Sequence, residues 1–465
     1  MLSFLLVFIH TKKGVLKNVA DYGEVSIIYS VFIVLNVVLA YGMETAFFRF
    51  YNKESNKDKV IGTSAISLIC SSVIFFVLAF LAKDHIANYF NLNPKYINLV
   101  IWILFLDALV IIPFAWLRAN QKPMRYAILK IVNVAINLGL NVFFLQFLKD
   151  LASNNSLFSS IYQTDFEVNY IFIANLIASA VTFILLLSFY TKIKYVFSKQ
   201  LFKQMMTYAY PVLIAGIAFS INEAFDRFLL NDLLPQDIAK TEIGMYSACY
   251  KLALFMTLFA TAFRLGIEPY FFSHAKSDNP QKNYAKILEF FVAIGAFILV
   301  CVVVFSDILK VIFIRNDELW EAMWIVPILL LANFCLGIYH NLSVWYKVTD
   351  KTKFGAYISI AGAVVTLILN YWLIPIISYK GSAIATLCAY AVMMSLSFYF
   401  GRKYYPIPYN FKKMITYLLI SISFSMVYFY QFRENYWIGI SGIIVFLAIV
   451  YALEKNDIKA ILKRS

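Results

Sequence analysis

The sequence predicts an all-α polytopic membrane protein of two six-helix lobes plus two C-terminal helices, about fourteen helices with the first one truncated. Three observations predict it: an extreme apolar composition, a train of apolar stretches of bilayer length, and an internal repeat. Of 465 residues, 62% are hydrophobic and 14% are charged, with mean hydropathy +0.74, whereas soluble domains carry roughly a quarter charged residues. A spanning helix takes about 20 apolar residues, so roughly fourteen would consume about 280. Little chain remains for soluble domains.

The apolar stretches centre on Val25–Tyr41, Ile61–Leu81, Ile97–Leu117, Tyr126–Leu148, Val168–Tyr190, Tyr208–Leu230, Met245–Phe263, Ile287–Phe305, Ala322–Trp345, Phe354–Ile377, Ser382–Phe400, Met414–Tyr430 and Trp437–Leu453. Each can cross a bilayer as a helix. Met1–His10 reaches only about 15 Å as a helix, half the hydrocarbon thickness. With no basic n-region and no A-x-A cleavage site, it reads as a truncated first helix rather than a signal peptide.

Soluble chemistry is hard to place on this chain. Cys70, Cys249, Cys301, Cys335 and Cys388 all lie in apolar runs without CxxC spacing, so they read as small core hydrophobes rather than disulfides or thiolate ligands. The four histidines form no HExxH or Cys/His cluster, and no Gly-rich phosphate loop follows a strand pattern. No metal site and no cofactor are expected beyond a coupling ion, sodium or protons.

The net charge of +14 invites a nucleic-acid reading until the basic residues are placed on the membrane. Alternating sides from the loop before Val25, one side carries 26 Lys and Arg, from Arg49, Lys53, Lys57 and Lys59 to the tail Lys455, Lys459, Lys463 and Arg464. The other carries 11, and Arg227, Lys251 and Arg264 lie inside the membrane. The positive-inside rule then puts the C-terminus in the cytoplasm and makes the basicity topological, with no nucleic-acid partner.

The chain repeats itself. Gly42-Met43-Glu44-Thr45-Ala46-Phe47-Phe48 matches Gly266-Ile267-Glu268-Pro269-Tyr270-Phe271-Phe272 at an offset of 224, and Gly23, Ser26 and Tyr29 match Gly244, Ser247 and Tyr250 at 221. Trp116-Leu117-Arg118 with Lys122 matches Trp345-Tyr346-Lys347 with Lys351, and Asn141 matches Asn370, all at 229. The segment 174–181 matches 385–392 at 211. Six spans separate equivalent positions, an even number, so the halves share one orientation and are related by an axis along the membrane normal. The expected organisation is an N-lobe over 1–195, a C-lobe over 196–405, and two further helices with a cytoplasmic tail over 406–465. A duplicated bundle with a central cleft suits alternating access.

Asp21-Tyr22-Gly23-Glu24-Val25, Tyr250-Lys251-Leu252-Ala253, Glu268-Pro269-Tyr270-Phe271-Phe272-Ser273-His274-Ala275-Lys276 and Trp345-Tyr346-Lys347-Val348-Thr349-Asp350-Lys351-Thr352 resemble bacterial polysaccharide-biosynthesis (Wzx-like) flippases. These belong to the multidrug/oligosaccharidyl-lipid/polysaccharide exporter superfamily. The resemblance runs from Leu2 onward and departs at the N-terminus, where about half a helix is absent. It implies a multi-pass protein of the bacterial inner membrane that moves an undecaprenyl-pyrophosphate-linked oligosaccharide to the periplasmic leaflet. The implied partners are that lipid-linked oligosaccharide, membrane lipids and other polysaccharide-assembly proteins.

A charge at mid-bilayer costs about 2.5 to 3.5 kcal/mol on insertion scales, so each needs a partner or a purpose. Glu223 with Arg227 and Arg264 with Glu268 are spaced i, i+4 and can neutralise each other on one helix face. Lys251 has no acidic partner on its own helix and lies at a depth that lets it bridge to Asp226 of the neighbouring one. Lys251 and Arg264 are about 20 Å and some 220° apart on a helix, so a straight helix cannot aim both into one cleft. The functional reading gives Arg227, Lys251 and Arg264 to pyrophosphate binding through charge-assisted hydrogen bonds, with Arg264 near the cytoplasmic entrance.

Asp107 has no charge at i±3 or i±4, which suits either ion coupling or a neutral hydrogen-bonded carboxyl. Asn133, Asn137 and Asn141 recur at i, i+4 and i+8 and form one polar stripe, lining a hydrated cleft or gluing helices together. Glu44 and Glu268 occupy equivalent cytoplasmic ends of the second and eighth helices and read as gate residues. Pro113, Pro211, Pro269, Pro327 and Pro375 lie in or near spans, Pro269 and Pro375 reading as helix ends. The outer loop Ser153–Ser160 with Tyr162 and Gln163 reads as ordinary connection. Two rivals remain: a cation-coupled multidrug exporter of the same fold, and a membrane glycosyltransferase or polymerase. The second would normally expose a large loop with paired carboxylates, and no connection here exceeds about twenty residues.

Overall fold

The computed structural model describes residues 5–273 and 279–462. His274, Ala275 and Lys276 of the family-like motif, and Lys463 and Arg464 of the tail, lie outside the described residues.

A short helix α1, Leu5–His10, precedes thirteen helices long and apolar enough to cross a membrane. In the first half these are α2 (Val19–Lys53), α3 (Lys57–Leu81), α4 (Pro94–Ala119), α5 (Pro123–Asn154) and α6 (Glu167–Tyr190). Next come α7 (Lys199–Leu233), α8 (Gln236–Ser273), α9 (Pro280–Val304), α10 (Asp317–Val348), α11 (Lys353–Ile377) and α12 (Tyr379–Tyr404). The last pair is α13 (Phe411–Gln431) and α14 (Tyr436–Leu462). All thirteen apolar stretches are therefore helices, several of them running past the bilayer core into polar segments. No strand occurs among the described residues.

The helix breaks have identifiable causes. α2 bends at Tyr41 and Gly42, whose φ angles are 31° and 71°. A Cβ on Gly42 would stand 2.6 Å from the carbonyl oxygen of Ala209 on α7, so both the positive φ and the close approach require glycine. α4 breaks at Val110, between Leu109 and Ile111. Pro113 has no N–H for the Leu109 carbonyl four residues earlier, and the Tyr190 hydroxyl donates to that oxygen instead. α7 carries Pro211 inside a continuous 35-residue helix. α8 runs through position 269 to Ser273 rather than ending there, while Pro375 sits in the last turn of α11.

The chain divides into two compact units, Met1–Gly244 and Met245–Ser465. Lipid tails are as apolar as leucine, so helices in each unit associate through close packing and polar bonds rather than hydrophobic exclusion. In the first unit Met43, Phe47, Met205 and Ala209 are fully buried where α2 meets α7. In the second, Trp345, Tyr346, Tyr390 and Met393 form a buried cluster joining α10 and α12. Leu81 at 78% exposure and Trp437 at 89% belong to the apolar outer surface that lipid covers.

The helices α13 and α14 are tied to each other at one end and to the rest of the second unit at the other. Lys413 pairs with Glu454 at 2.9 Å, and the Tyr417 hydroxyl donates to the same carboxylate at 2.7 Å. At the other end Arg433 grips Asp307 of the short Ser306–Phe313 helix, with Nη2 to Oδ1 at 2.7 Å and Nε to Oδ2 at 2.8 Å. Burial pushes the Asp307 carboxyl up, but hydrogen bonds from Arg433 and Lys310 outweigh it and hold the group below the usual carboxylate range.

The repeat is visible in detail. Asn120 Nδ2 donates to the Trp116 carbonyl at 2.9 Å, and Thr349 Oγ1 to the Trp345 carbonyl at 2.8 Å. Gln121 and Asp350 follow with φ of 53° and 55°. Lys122 N–H then reaches Leu117 O at 2.9 Å, and Lys351 N–H reaches Tyr346 O at 2.8 Å, a Schellman closure in each half. Inside the first unit, a Cβ on Gly23 would strike the carbonyl of Lys240, and one on Gly244 would strike that of Val19. Val19 and Lys240 are themselves related by the 221-residue offset, so the two close approaches are reciprocal.

Candidate functional site

Glu44 and Glu268, the two gate candidates, are ion-paired in both halves. Glu44 on α2 pairs with Arg118 on α4, and Glu268 on α8 pairs with Lys347 on α10 at 2.6 Å. Since Glu44 maps to Glu268 and Arg118 to Lys347, equivalent ion pairs join the equivalent helices of the two halves. The sequence offered Arg264 as the partner of Glu268. The structure gives Glu268 to Lys347, because a carboxylate at this helix end meets the neighbouring helix as readily as its own face.

Arg264 lines a small pocket in the second unit with Glu268, His340, Asn341, Ser343 and Lys347. It is half-buried and makes no hydrogen bond or ion pair among the described residues. The pocket follows from how α8 and α10 meet. Asn333 Nδ2 donates to the Ala253 carbonyl at 3.2 Å, and a Cβ on Gly337 would lie 3.1 Å from Ala260 Cβ. Glu268 and Lys347 join the same two helices again about 12 Å further along α8, and the pocket lies beside that ion pair.

Arg227 is 7% exposed. Its Nη1 donates to Asp226 Oδ1 at 2.9 Å and to the Glu223 carbonyl at 3.1 Å. Asp226 next door is thus one carboxylate that neutralises Arg227, and Glu223 contributes at least its backbone carbonyl. Lys251 is half-buried on the part of α8 that belongs to the second unit.

The polar residues of the first unit hold helices together. Asp107 Oδ1 accepts from Ser179 Oγ at 2.8 Å, joining α4 to α6. Asn133 Nδ2 donates to Thr182 Oγ1 at 2.9 Å and Asn137 Nδ2 to Asn175 Oδ1 at 3.5 Å, joining α5 to α6. Asn141, fully buried, donates to Asn137 Oδ1 at 2.7 Å and shares a 2.8 Å hydrogen bond with His10 Nε2 of α1. Of the two readings of this stripe, the bonds favour glue. Its counterpart Asn370 likewise bonds its i−4 carbonyl and accepts from Ser382 Oγ at 2.7 Å.

Sequence reasoning missed His340, Asn341 and Lys347 as neighbours of Arg264. The available signal was the repeat, which pairs Glu44 with Glu268 and Arg118 with Lys347. Among the described residues no group of three or more His, Cys, Asp or Glu side chains could hold a metal ion.

Comparison with known proteins agrees with this architecture. The family described as polysaccharide biosynthesis protein matches residues 15–274, and the MatE family matches 211–372. No curated protein matches the chain. Among solved structures, the lipid II flippase MurJ in an inward closed conformation has a TM-score of 0.75 at 17% identity, covering 97% of this chain and 96% of that one. An inward-facing multidrug resistance MATE family transporter has a TM-score of 0.67 at 14% identity, covering 86% and 93%. A MOP superfamily transporter from Pyrococcus furiosus, described by the reverse polarity of its binding pocket, has a TM-score of 0.57 at 14% identity, covering 86% and 91%. With a family match over more than half its length and thirteen helices able to cross a membrane among the described residues, the chain belongs to the polysaccharide biosynthesis protein family and shares the fold of the MurJ flippase and of MATE transporters.

Proposed function

We propose that this protein flips undecaprenyl-pyrophosphate-linked oligosaccharide units across the bacterial cytoplasmic membrane by alternating access, with its C-terminus in the cytoplasm and without covalent chemistry. The observation that carries the reading is Arg264, a half-buried guanidinium in a pocket with Lys347 and His340 and without an ion pair of its own among the described residues. An unpaired cation in a membrane helix is expensive, and an anionic headgroup is the ligand that repays the cost. Lys251 is a second basic residue of the same helix α8, while Arg227, salt-bridged to Asp226, is the weaker candidate for the pyrophosphate. A site for cationic drugs would favour acidic side chains instead.

On this reading the headgroup enters from the cytoplasm, its pyrophosphate meets the basic residues, and the lipid tail stays in the bilayer. Glu44 and Glu268 act as gate residues, held by Arg118 and Lys347 until the cytoplasmic side rearranges. Asp107, bonded to Ser179, is the coupling carboxylate for sodium or protons.

The test is mass spectrometry of undecaprenyl-linked sugars from cells lacking the protein, combined with a leaflet-accessibility probe. A complete oligosaccharide unit should accumulate on the cytoplasmic side and clear when the gene is restored. Unchanged lipid-linked sugars would reject the assignment.

A further inference from the structure

The repeat provides an internal control for the α8/α10 pocket. At the offsets that align the halves, Arg264 maps to Ala40, His340 to Ile111, Asn341 to Ile112 and Ser343 to Phe114, while Glu268 and Lys347 map to Glu44 and Arg118. The first half therefore keeps the closing ion pair and fills the space behind it with apolar side chains, Ile112 and Phe114 being 0% and 5% exposed. The scaffold needs no polar group there. Four polar residues in the second half are an addition, not a requirement of packing.

Their hydrogen-bonding state specifies a ligand. Asn341 is 6% exposed, and its Nδ2 donates to the Gly337 carbonyl at 3.0 Å, which fixes the orientation of the amide. Its Oδ1 is buried without a hydrogen-bond partner. A buried acceptor that its own chain leaves unpaired is costly until a donor, from water or a ligand, reaches it. Beside it stand the Arg264 guanidinium and the His340 ring, neither hydrogen-bonded through its side chain among the described residues. A fully ionised phosphoryl group offers only acceptor oxygens to such a pocket and would leave Asn341 Oδ1 unsatisfied. A phosphoryl group with an adjacent hydroxyl satisfies all three.

We propose that this pocket is a glycosyl-phosphate subsite: Arg264 and His340 hold phosphoryl oxygens, and Asn341 Oδ1 accepts a hydrogen bond from a hydroxyl of the first sugar. The inference rests on the flippase reading and adds to it the residues that tell a sugar-bearing pyrophosphate from a bare one. Specificity of this kind comes from a polar group left unpaired when the wrong ligand binds.

The test uses the full-length protein in lipid nanodiscs with two probes, undecaprenyl pyrophosphate and undecaprenyl-pyrophosphoryl-N-acetylglucosamine, and phosphatidylglycerol as competitor. The wild type should bind the sugar-bearing probe about tenfold more tightly, the worth of one buried hydrogen bond. Asn341→Ile, which installs the first half's own residue and so suits the scaffold, should bring the two affinities together. Arg264→Gln should weaken both. Wild-type binding of both probes that neither substitution alters would overturn the subsite and leave the flippase reading standing. Equal competition by phosphatidylglycerol would assign the pocket to membrane phospholipid and overturn it too. Failure of the wild type to bind either probe would reject the flippase reading and the subsite with it.

Discussion

Replacing Asp307 by asparagine tests how the last two helices are held. Asp307 is 7% exposed and accepts two well-aligned bonds from Arg433, at 2.7 and 2.8 Å, with a further bond from Lys310. Asparagine keeps the shape but offers one acceptor and no charge, leaving two cations uncompensated. Breaking a buried pair costs about 3 to 5 kcal/mol. The Arg433 and Lys310 side chains are 30% and 14% exposed, so both recover some hydration and the lower end, about 3 kcal/mol, applies. At a few degrees per kcal/mol, Asp307→Asn should lower the melting temperature by about 5 to 10 °C. A thiol-reactive dye reports unfolding through Cys249 and Cys335, both buried.

The same site predicts a pH dependence. The folded carboxyl titrates below its unfolded value, so its stabilisation is complete above the ordinary carboxylate range, about pH 4, and is lost as pH falls through the folded value. The gap between wild type and Asp307→Asn should therefore be constant from pH 8 to 5 and shrink as pH falls below the ordinary carboxylate range. Equal melting temperatures at pH 7, or an undiminished gap at low pH, would refute the electrostatic account.

Three further outcomes are expected. Lys251→Ala should impair transport while leaving membrane insertion intact, measured by complementation against the amount of protein in the membrane; full activity would remove Lys251 from the site. Asp107→Asn should abolish sodium or proton dependence of transport in vesicles, and unchanged dependence would return Asp107 to a purely structural bond with Ser179. Glu44→Arg should reduce transport and Arg118→Glu added to it should restore at least part. Because both side chains of that pair are about two-fifths exposed, the effect should appear in transport more than in stability.

The thirteen spans were legible because hydropathy over about 20 residues is a bulk property that survives any detail of packing. Their ends were less so. α2 continues through Gly42 to Lys53 and α5 to Asn154, where the sequence turns polar while the helix persists. Pro113 marked a true break, whereas Pro211 lies in an unbroken helix. Ion pairing was the hardest to read. Spacing along one helix proposed Arg264 with Glu268, but Glu268 is held by Lys347 across the helix gap, and Arg227 also meets Asp226 on the adjoining residue, neighbours that i, i+4 spacing does not show. The repeat contained the first of these answers, because a carboxylate and a cation recur together in both halves only if they meet.

The duplication also separates two chemistries along one equivalent helix. On α4 the first half carries Asp107 followed by Ile111, Ile112 and Phe114; on α10 the same offset places Leu336, then His340, Asn341 and Ser343. The carboxylate has no counterpart in the second half, and the polar pocket none in the first. On the proposed roles, ion and headgroup therefore never compete for one group, and coupling must pass through a conformational equilibrium that each ligand biases. Linkage makes such coupling reciprocal, typically about 5- to 150-fold in affinity. The coupling ion should shift the apparent affinity for the pyrophosphate lipid in wild type and lose that effect in Asp107→Asn. Arg264→Gln should weaken lipid binding with the ion's relative effect preserved. If Arg264→Gln instead erased the ion effect while Asp107→Asn left it intact, the two chemistries would share the second-half site and the division along α4 and α10 would be wrong.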